Sequence, residues 1–198
     1  MRRRPVLASA LAAVLLTGAC TVSVEPTDPD PGGPSLEQFR EQNAVDYDLT
    51  TPPTAQDLGV PEGRDSAIFD RDSSTYWDIS FTLPGGSTFT TGKAIAVGIF
   101  IKDQPGGLLN SVNINVNADS EDELATLLRS GGAQLGLDPV QVERYLDDPN
   151  RLDNQVLDGR TFGYLFTSVG LRPQPSREGV VALNYNFDWE PGAAGATS

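Results

Sequence analysis

Carboxylates are the one class of catalytic side chain that this sequence leaves open. Histidine is absent from all 198 residues, and the single cysteine is Cys20. Without imidazole there is no Ser-His-Asp or Cys-His nucleophile system, and the usual ligands for zinc, copper and haem are missing. A metal site would have to be built from oxygen alone, which means calcium or magnesium. Acids are plentiful, 27 against 14 basic residues, and glycoside hydrolysis needs only two of them. The obvious doublet is Asp147-Asp148, just ahead of Pro149. Acids at a helix end before a proline ordinarily act as solvated turn formers. No catalytic residue is assigned there.

Two further segments carry the outline of a known site. Asp70-Arg71-Asp72-Ser73-Ser74, after Ala67-Ile68-Phe69, resembles the first motif of haloacid-dehalogenase-type phosphatases. In that family the first aspartate attacks phosphorus and the second protonates the leaving group, on a parallel sheet. The strands that follow here read as antiparallel, so the segment is taken as a solvated loop. Asp70, Asp72 and Ser74 also match half of a calcium loop, without its glycine and late glutamate. Residues 86–93, GSTFTTGK, are similar to a phosphate-binding loop, but the spacing is one residue long and Ala94 replaces the serine or threonine. They read as a hairpin connection. No catalytic, metal or cofactor site is expected.

Asparagine supplies a different kind of chemistry. Asn113, Asn115 and Asn117 alternate with Val112, Ile114, Val116 and Ala118, and Asn184 and Asn186 alternate with Leu183, Tyr185 and Phe187. A period of two puts the amides on one face of a strand and the apolar residues on the other. Asparagine is depleted in strands because its amide competes for backbone hydrogen bonds. Solubility alone is therefore a poor reason for five of them. Each amide offers a donor pair and an acceptor, which suits sugar hydroxyls or peptide groups. With Ser80 and Thr82, the five form a candidate interaction face, provided their two strands lie close enough to merge the rows.

The elements that would hold this face are legible from periodicity. Residues 77–83 alternate apolar and polar. Residues 94–101 are apolar on both parities, Ile95, Val97, Ile99 and Ile101 against Ala94, Ala96 and Phe100, which predicts a central strand covered on both sides or nearly so. With 112–118 they form an antiparallel meander. Ser120-Glu121-Asp122-Glu123 is a capping box for a helix bearing Leu124, Leu127 and Leu128, which Gly131-Gly132 is expected to weaken or end. Asp138-Pro139-Val140-Gln141 opens a second helix with Val142, Tyr145 and Leu146 as its stripe. Strands at 161–171 and 180–189 follow. Prolines 52, 53 and 61 predict an irregular path over 43–65. The fold class is α+β: an antiparallel sheet of about five strands, in the order three strands, two helices, two strands, with the helix pair packed on one face. Such a sheet can curl around an apolar cavity.

The first twenty residues address the chain. Arg2, Arg3 and Arg4 precede ten uncharged residues at 7–16, a run too short to span a bilayer as a helix. Leu16-Thr17-Gly18-Ala19-Cys20 resembles the lipobox of bacterial lipoproteins, with Thr17 where leucine is commoner. The resemblance covers residues 1–20 only. It implies cleavage between Ala19 and Cys20 and acylation of the Cys20 thiol, hence an extracytoplasmic protein held at the cell membrane by its acyl chains. Arg3-Arg4 is also similar to a twin-arginine export signal. The expected organisation is a signal peptide at 1–19, lipidated Cys20 with a Pro/Asp-rich linker at 20–34, one domain at 35–190, and a flexible tail at 191–198.

Removing 1–19, with three arginines and no acid, would take the net charge from −13 to −16. So acidic a chain repels nucleic acid. The remaining partners are the membrane itself, a cell-wall glycan or an envelope protein. The sequence reads as a lipoprotein with a non-catalytic binding domain; the alternative is a carboxylate-dependent cell-wall glycan hydrolase, which needs two acids in one pocket.

Overall fold

The computed structural model describes residues 42–71, 75–101, 109–148, 154–173 and 180–192. The signal segment, Cys20, the linker, Asp72 to Ser74 and most of the tail lie outside the described residues. The strands are β1 (Ala44–Asp48), β2 (Ser66–Asp70), β3 (Trp77–Thr82), β4 (Thr88–Phe100), β5 (Asn110–Ala118), β6 (Gln155–Phe162), β7 (Leu165–Pro173) and β8 (Val181–Trp189). The helices are α1 (Glu121–Leu135) and α2 (Pro139–Asp147), between β5 and β6. All eight strands join one sheet, in the order β1-β3-β4-β5-β8-β7-β6, with β2 paired to β4.

The expectation of about five antiparallel strands is thus overturned. The sheet has eight strands and is mixed, since β1 runs parallel to β3. Three causes account for the difference. In β1 the buried Val45 and Tyr47 alternate with exposed Ala44, Asp46 and Asp48, the pattern of a half-buried edge strand. The prolines at 52, 53 and 61 lie after that strand and do not interrupt it. Second, β2 covers the part of β4 that β3 leaves free: β3 pairs with Thr88 to Ala94 and β2 with Ala96 to Phe100. Third, the single strand expected at 161–171 is the end of one strand and most of another. Phe162 pairs with Leu165 across a two-residue turn, with Gly163 at a φ of +58°. A left-handed first position suits a tight hairpin, and glycine adopts it without strain.

The segment 86–93 is likewise mostly strand. The turn is confined to Leu83–Ser87, where the Gly86 amide donates to the Leu83 carbonyl (2.9 Å) and the Leu83 amide to the Ser87 carbonyl (2.7 Å).

One face of the sheet wraps around aromatic rings. Phe81 on β3 and Phe187 on β8 stack with centroids 4.4 Å apart, although β4 and β5 lie between their strands. Strands three places apart in a flat sheet would be separated by about 14 Å. The sheet must therefore curl strongly. Phe89 meets Phe187 edge-on at 5.2 Å, and Tyr47 stacks on Phe81 at 5.2 Å. From the far side, the Tyr164 hydroxyl reaches the carbonyls of Leu49 (2.8 Å) and Thr51 (2.7 Å), linking the β6–β7 hairpin to the chain leaving β1. These rings belong to the buried core on the inner face of the curl.

Helix α1 lies against the same face. Its Ser120 cap forms, with the Glu123 amide donating to Ser120 Oγ (3.2 Å), but the Glu123 carboxylate accepts from the amide of Asp119 (2.8 Å), one residue before the cap, and not from that of Ser120. The helix runs through Gly131 and Gly132 rather than stopping there. A Cβ at Gly131 would come within 2.7 Å of the Tyr185 ring, so the glycine permits close approach of helix to sheet. The Tyr185 hydroxyl then donates to the Leu127 carbonyl (3.1 Å). Helix α2 starts at its Asp138 cap, whose carboxylate accepts from the Val140 amide (2.9 Å). It leans chiefly on α1, where Arg129 grips Glu143 through two bonds of 2.7 Å. The anticipated helix pair on the sheet is therefore one helix on the sheet and a second beside it.

Candidate functional site

The two asparagine strands are neighbours. β5 and β8 pair antiparallel, with Asn113 opposite Asn186 and Asn115 opposite Asn184, while Asn117 faces Ala182. All five amides occupy the face opposite α1 and the aromatic core, and each is half-buried. Extending the register sideways gives three cross-strand rows. One holds Gly98, Asn113, Asn186, Ser168 and Asp158. The next holds Ala96, Asn115, Asn184, Gly170 and Val156, and the third Asn117, Ala182 and Arg172.

Short side chains beside the amides make a trough. Ala96 lies on one side, Gly170 and Ala182 on the other, and the resulting groove has a volume of about 490 Å³, within the ordinary range of small-ligand sites. Its lining also includes Asn154, Gln155, Val156, Arg172 and Ile95. Ile95 is there because of a bulge. The register of β4 against β5 slips between Ala94 and Ala96, Lys93 takes a φ of +57°, and the extra residue turns outward. The predicted parity, with Ile95 beside Val97 and Ile99, is therefore broken at the bulge. On this face β4 is covered only in part: Gly98 is buried and Ala96 half-buried, while Phe100 is 38% exposed, its ring lying back over Gly98.

The amides are unevenly satisfied. Asn113 donates to Ser111 Oγ (3.0 Å) and Asn186 to Ser168 Oγ (3.1 Å). Asn115 and Asn117 have no side-chain bond to any of the described residues. Asn184 Oδ1 is buried and has no hydrogen-bond partner at all among them. A buried acceptor without a donor costs about 1–3 kcal/mol, and here it lies in the wall of a groove.

The other sequence candidates are dispersed. Ser80 and Thr82 sit on β3, paired with Thr90 and Thr88, outside the groove lining. Asp147 and Asp148 end α2; Asp148 lines a separate cleft of about 200 Å³ with Arg144 and Tyr145. Asp70 closes β2, and its neighbour Arg71 is held over the Trp77 ring at 4.5 Å and by Asn43 Oδ1 at 2.7 Å. Among the described residues no group of three or more acids could hold a metal ion, and no helix is long and apolar enough to cross a membrane.

Asp188 is a further polar residue that the alternation of β8 turns outward. It shares the amide face, between Ser111 on β5 and Phe166 on β7. Burial raises its carboxyl to about 6, against about 3.9 in an unfolded chain. The folded state then holds the proton more tightly, so this contribution to stability is complete below about pH 4 and is lost as pH rises through about 6. The bare shift corresponds to about 3 kcal/mol, but the carboxyl is partly open to solvent and screening reduces this to roughly 1 kcal/mol. Asp188→Asn should therefore raise the thermal midpoint by about 2–4 °C at pH 7.5 and leave it unchanged at pH 4. Equal shifts at both pH values would refute the assignment.

The chain matches no protein-family model, no curated protein and no solved structure.

Proposed function

We propose that this chain is a membrane-tethered extracytoplasmic lipoprotein whose domain binds an envelope glycan, without catalysis, on its amide-lined sheet face. The tether rests on the lipobox at Leu16 to Cys20. The binding reading rests on one observation above all: Asn184 Oδ1, buried and unpartnered among the described residues, lies beside the unbonded amides of Asn115 and Asn117 in a groove of ligand size. A ligand hydroxyl would give that oxygen its missing donor and take an amide proton in return. The hydrolase alternative ranks second, because it needs two carboxylates facing one bond and the described lining of the groove contains none.

The experiment uses the full chain extracted from membranes in detergent and its retention on purified cell wall. Asn115→Thr, Asn117→Thr and Asn184→Thr together remove the free amides while favouring strand backbone. Three lost hydrogen bonds should weaken retention on the order of tenfold to a hundredfold with little change in melting temperature. The N-terminal peptide should carry the mass of acyl chains on Cys20. Retention that survives the triple change intact would remove the binding face from the proposal, and an unmodified Cys20 in the membrane fraction would remove the tether.

A further inference from the structure

Six of the residues lining the groove are carboxamides, namely Asn115, Asn117, Asn154, Gln155, Asn184 and Asn186, and one is a cation, Arg172. Arg172 is exposed and stands in the row of Ala182 and Asn117, at one end of the amide strip. Four of the seven described cations are engaged elsewhere: Lys93 with Glu123, Arg129 with Glu143, Arg71 over Trp77, and Arg160 over Phe162. Arg64 and Arg144, like Arg172, pair with no described residue, but both lie outside this groove. Arg172 has no bond or ion pair with any described residue. What sets Arg172 apart is its place: in a chain with 27 acids and a net charge of −13, it is the one charged side chain among the described lining of an otherwise neutral, amide-rich groove.

Resting on the binding reading above, we infer that the ligand is a saccharide bearing a single carboxylate, with its hydroxyl and amide substituents along the asparagines and its carboxylate on Arg172. Hydroxyls both give and accept hydrogen bonds, as do carboxamides, so the neutral part of the groove fits a polyhydroxyl body. The guanidinium supplies a planar fork for a carboxylate. Main-chain recognition of a peptide requires an open strand edge, whereas the strands carrying the asparagines, β5 and β8, are paired on both sides. Nucleic acid would need several cations in place of one. A wholly neutral sugar would leave Arg172 without a role, and a polyanion would meet the repulsion of the acidic chain.

The test titrates the full chain in detergent with two disaccharides of the same acetamido sugars. One is N-acetylglucosaminyl-N-acetylmuramic acid, with one carboxylate; the other is N,N′-diacetylchitobiose, with none. The acidic sugar should bind about tenfold or more tightly than the neutral one, the range of a charge-assisted bond. Arg172→Gln should erase that difference while leaving the neutral sugar's affinity unchanged, and the side-chain amide signals of Asn115, Asn117 and Asn184 should move with both sugars. Equal binding of the two by the unaltered protein, or a difference that persists in Arg172→Gln, would overturn the inference. If neither disaccharide binds while wall retention still depends on the three asparagines, the acidic-saccharide assignment falls and the binding face stands. Loss of wall retention as well would remove both.

Discussion

Phe187→Ala is expected to destabilise the domain by about 3–5 kcal/mol, the usual cost of removing a buried phenylalanine, and to lower the melting temperature on the order of 10 °C. The ring is fully buried and stacks on Phe81 at 4.4 Å while meeting Phe89 at 5.2 Å. These contacts join strands that a flat sheet would hold far apart, so their loss weakens the curl as well as the local packing. The neighbouring strand supplies a control. Phe166 is 44% exposed on the opposite face, and Phe166→Ala should cost well under half as much, since exposed substitutions usually fall within about 0.5 kcal/mol. Thermal or urea unfolding of the two variants measures the difference. Comparable losses would mean that the rings do not organise a common core.

Alternation of apolar and polar residues is informative where structure is local. It places the five asparagines on one face of their strands because a strand backbone leaves no other choice at a period of two. Their meeting across β5 and β8 is not legible in the same way. Both helices and two further strands separate β5 from β8 along the chain, so their adjacency depends on how the whole sheet closes and not on any local pattern.

Two other features are hidden for a similar reason. Ile95 reads as a core residue by parity and faces the groove only because the register slips beside it. Gly131 and Gly132 read as a helix end because glycine weakens an isolated helix, yet the space beneath Tyr185 admits no larger residue at 131. Arg172 gives no signal at all, since its meaning comes from its place as the one charged side chain among the described lining of the groove. By contrast, the alternation of Val45, Tyr47 and Leu49 is visible in the sequence and is outweighed there only by the prolines that follow it.

Gly159→Ala should destabilise the domain by about 1–3 kcal/mol or more, the cost of forcing an added methyl into a packed site. Gly159 lies at a bulge in β6, where it and Arg160 together face the single residue Thr167 on β7. A Cβ there would collide with Thr167 Oγ1 and come within 2.6 Å of the Leu135 carbonyl oxygen. The second contact is with backbone at the end of α1, which cannot rotate away as a side chain can. Thr167 Oγ1 also lies 3.1 Å from the Leu135 carbonyl and 2.8 Å from that of Arg160, so the same methyl would disturb the polar link between α1 and the β6–β7 hairpin. Relief requires α1 to shift relative to the sheet or the bulge to open. Gly85→Ala, at a turn where an added Cβ meets nothing within 4 Å, serves as the comparison: it carries the strain of a positive φ without the clash. Urea unfolding should show the larger loss at Gly159, together with faster amide exchange at the end of α1. If Gly159→Ala unfolds with the unaltered midpoint and exchange at α1 is unchanged, the close approach of α1 to β6 is refuted.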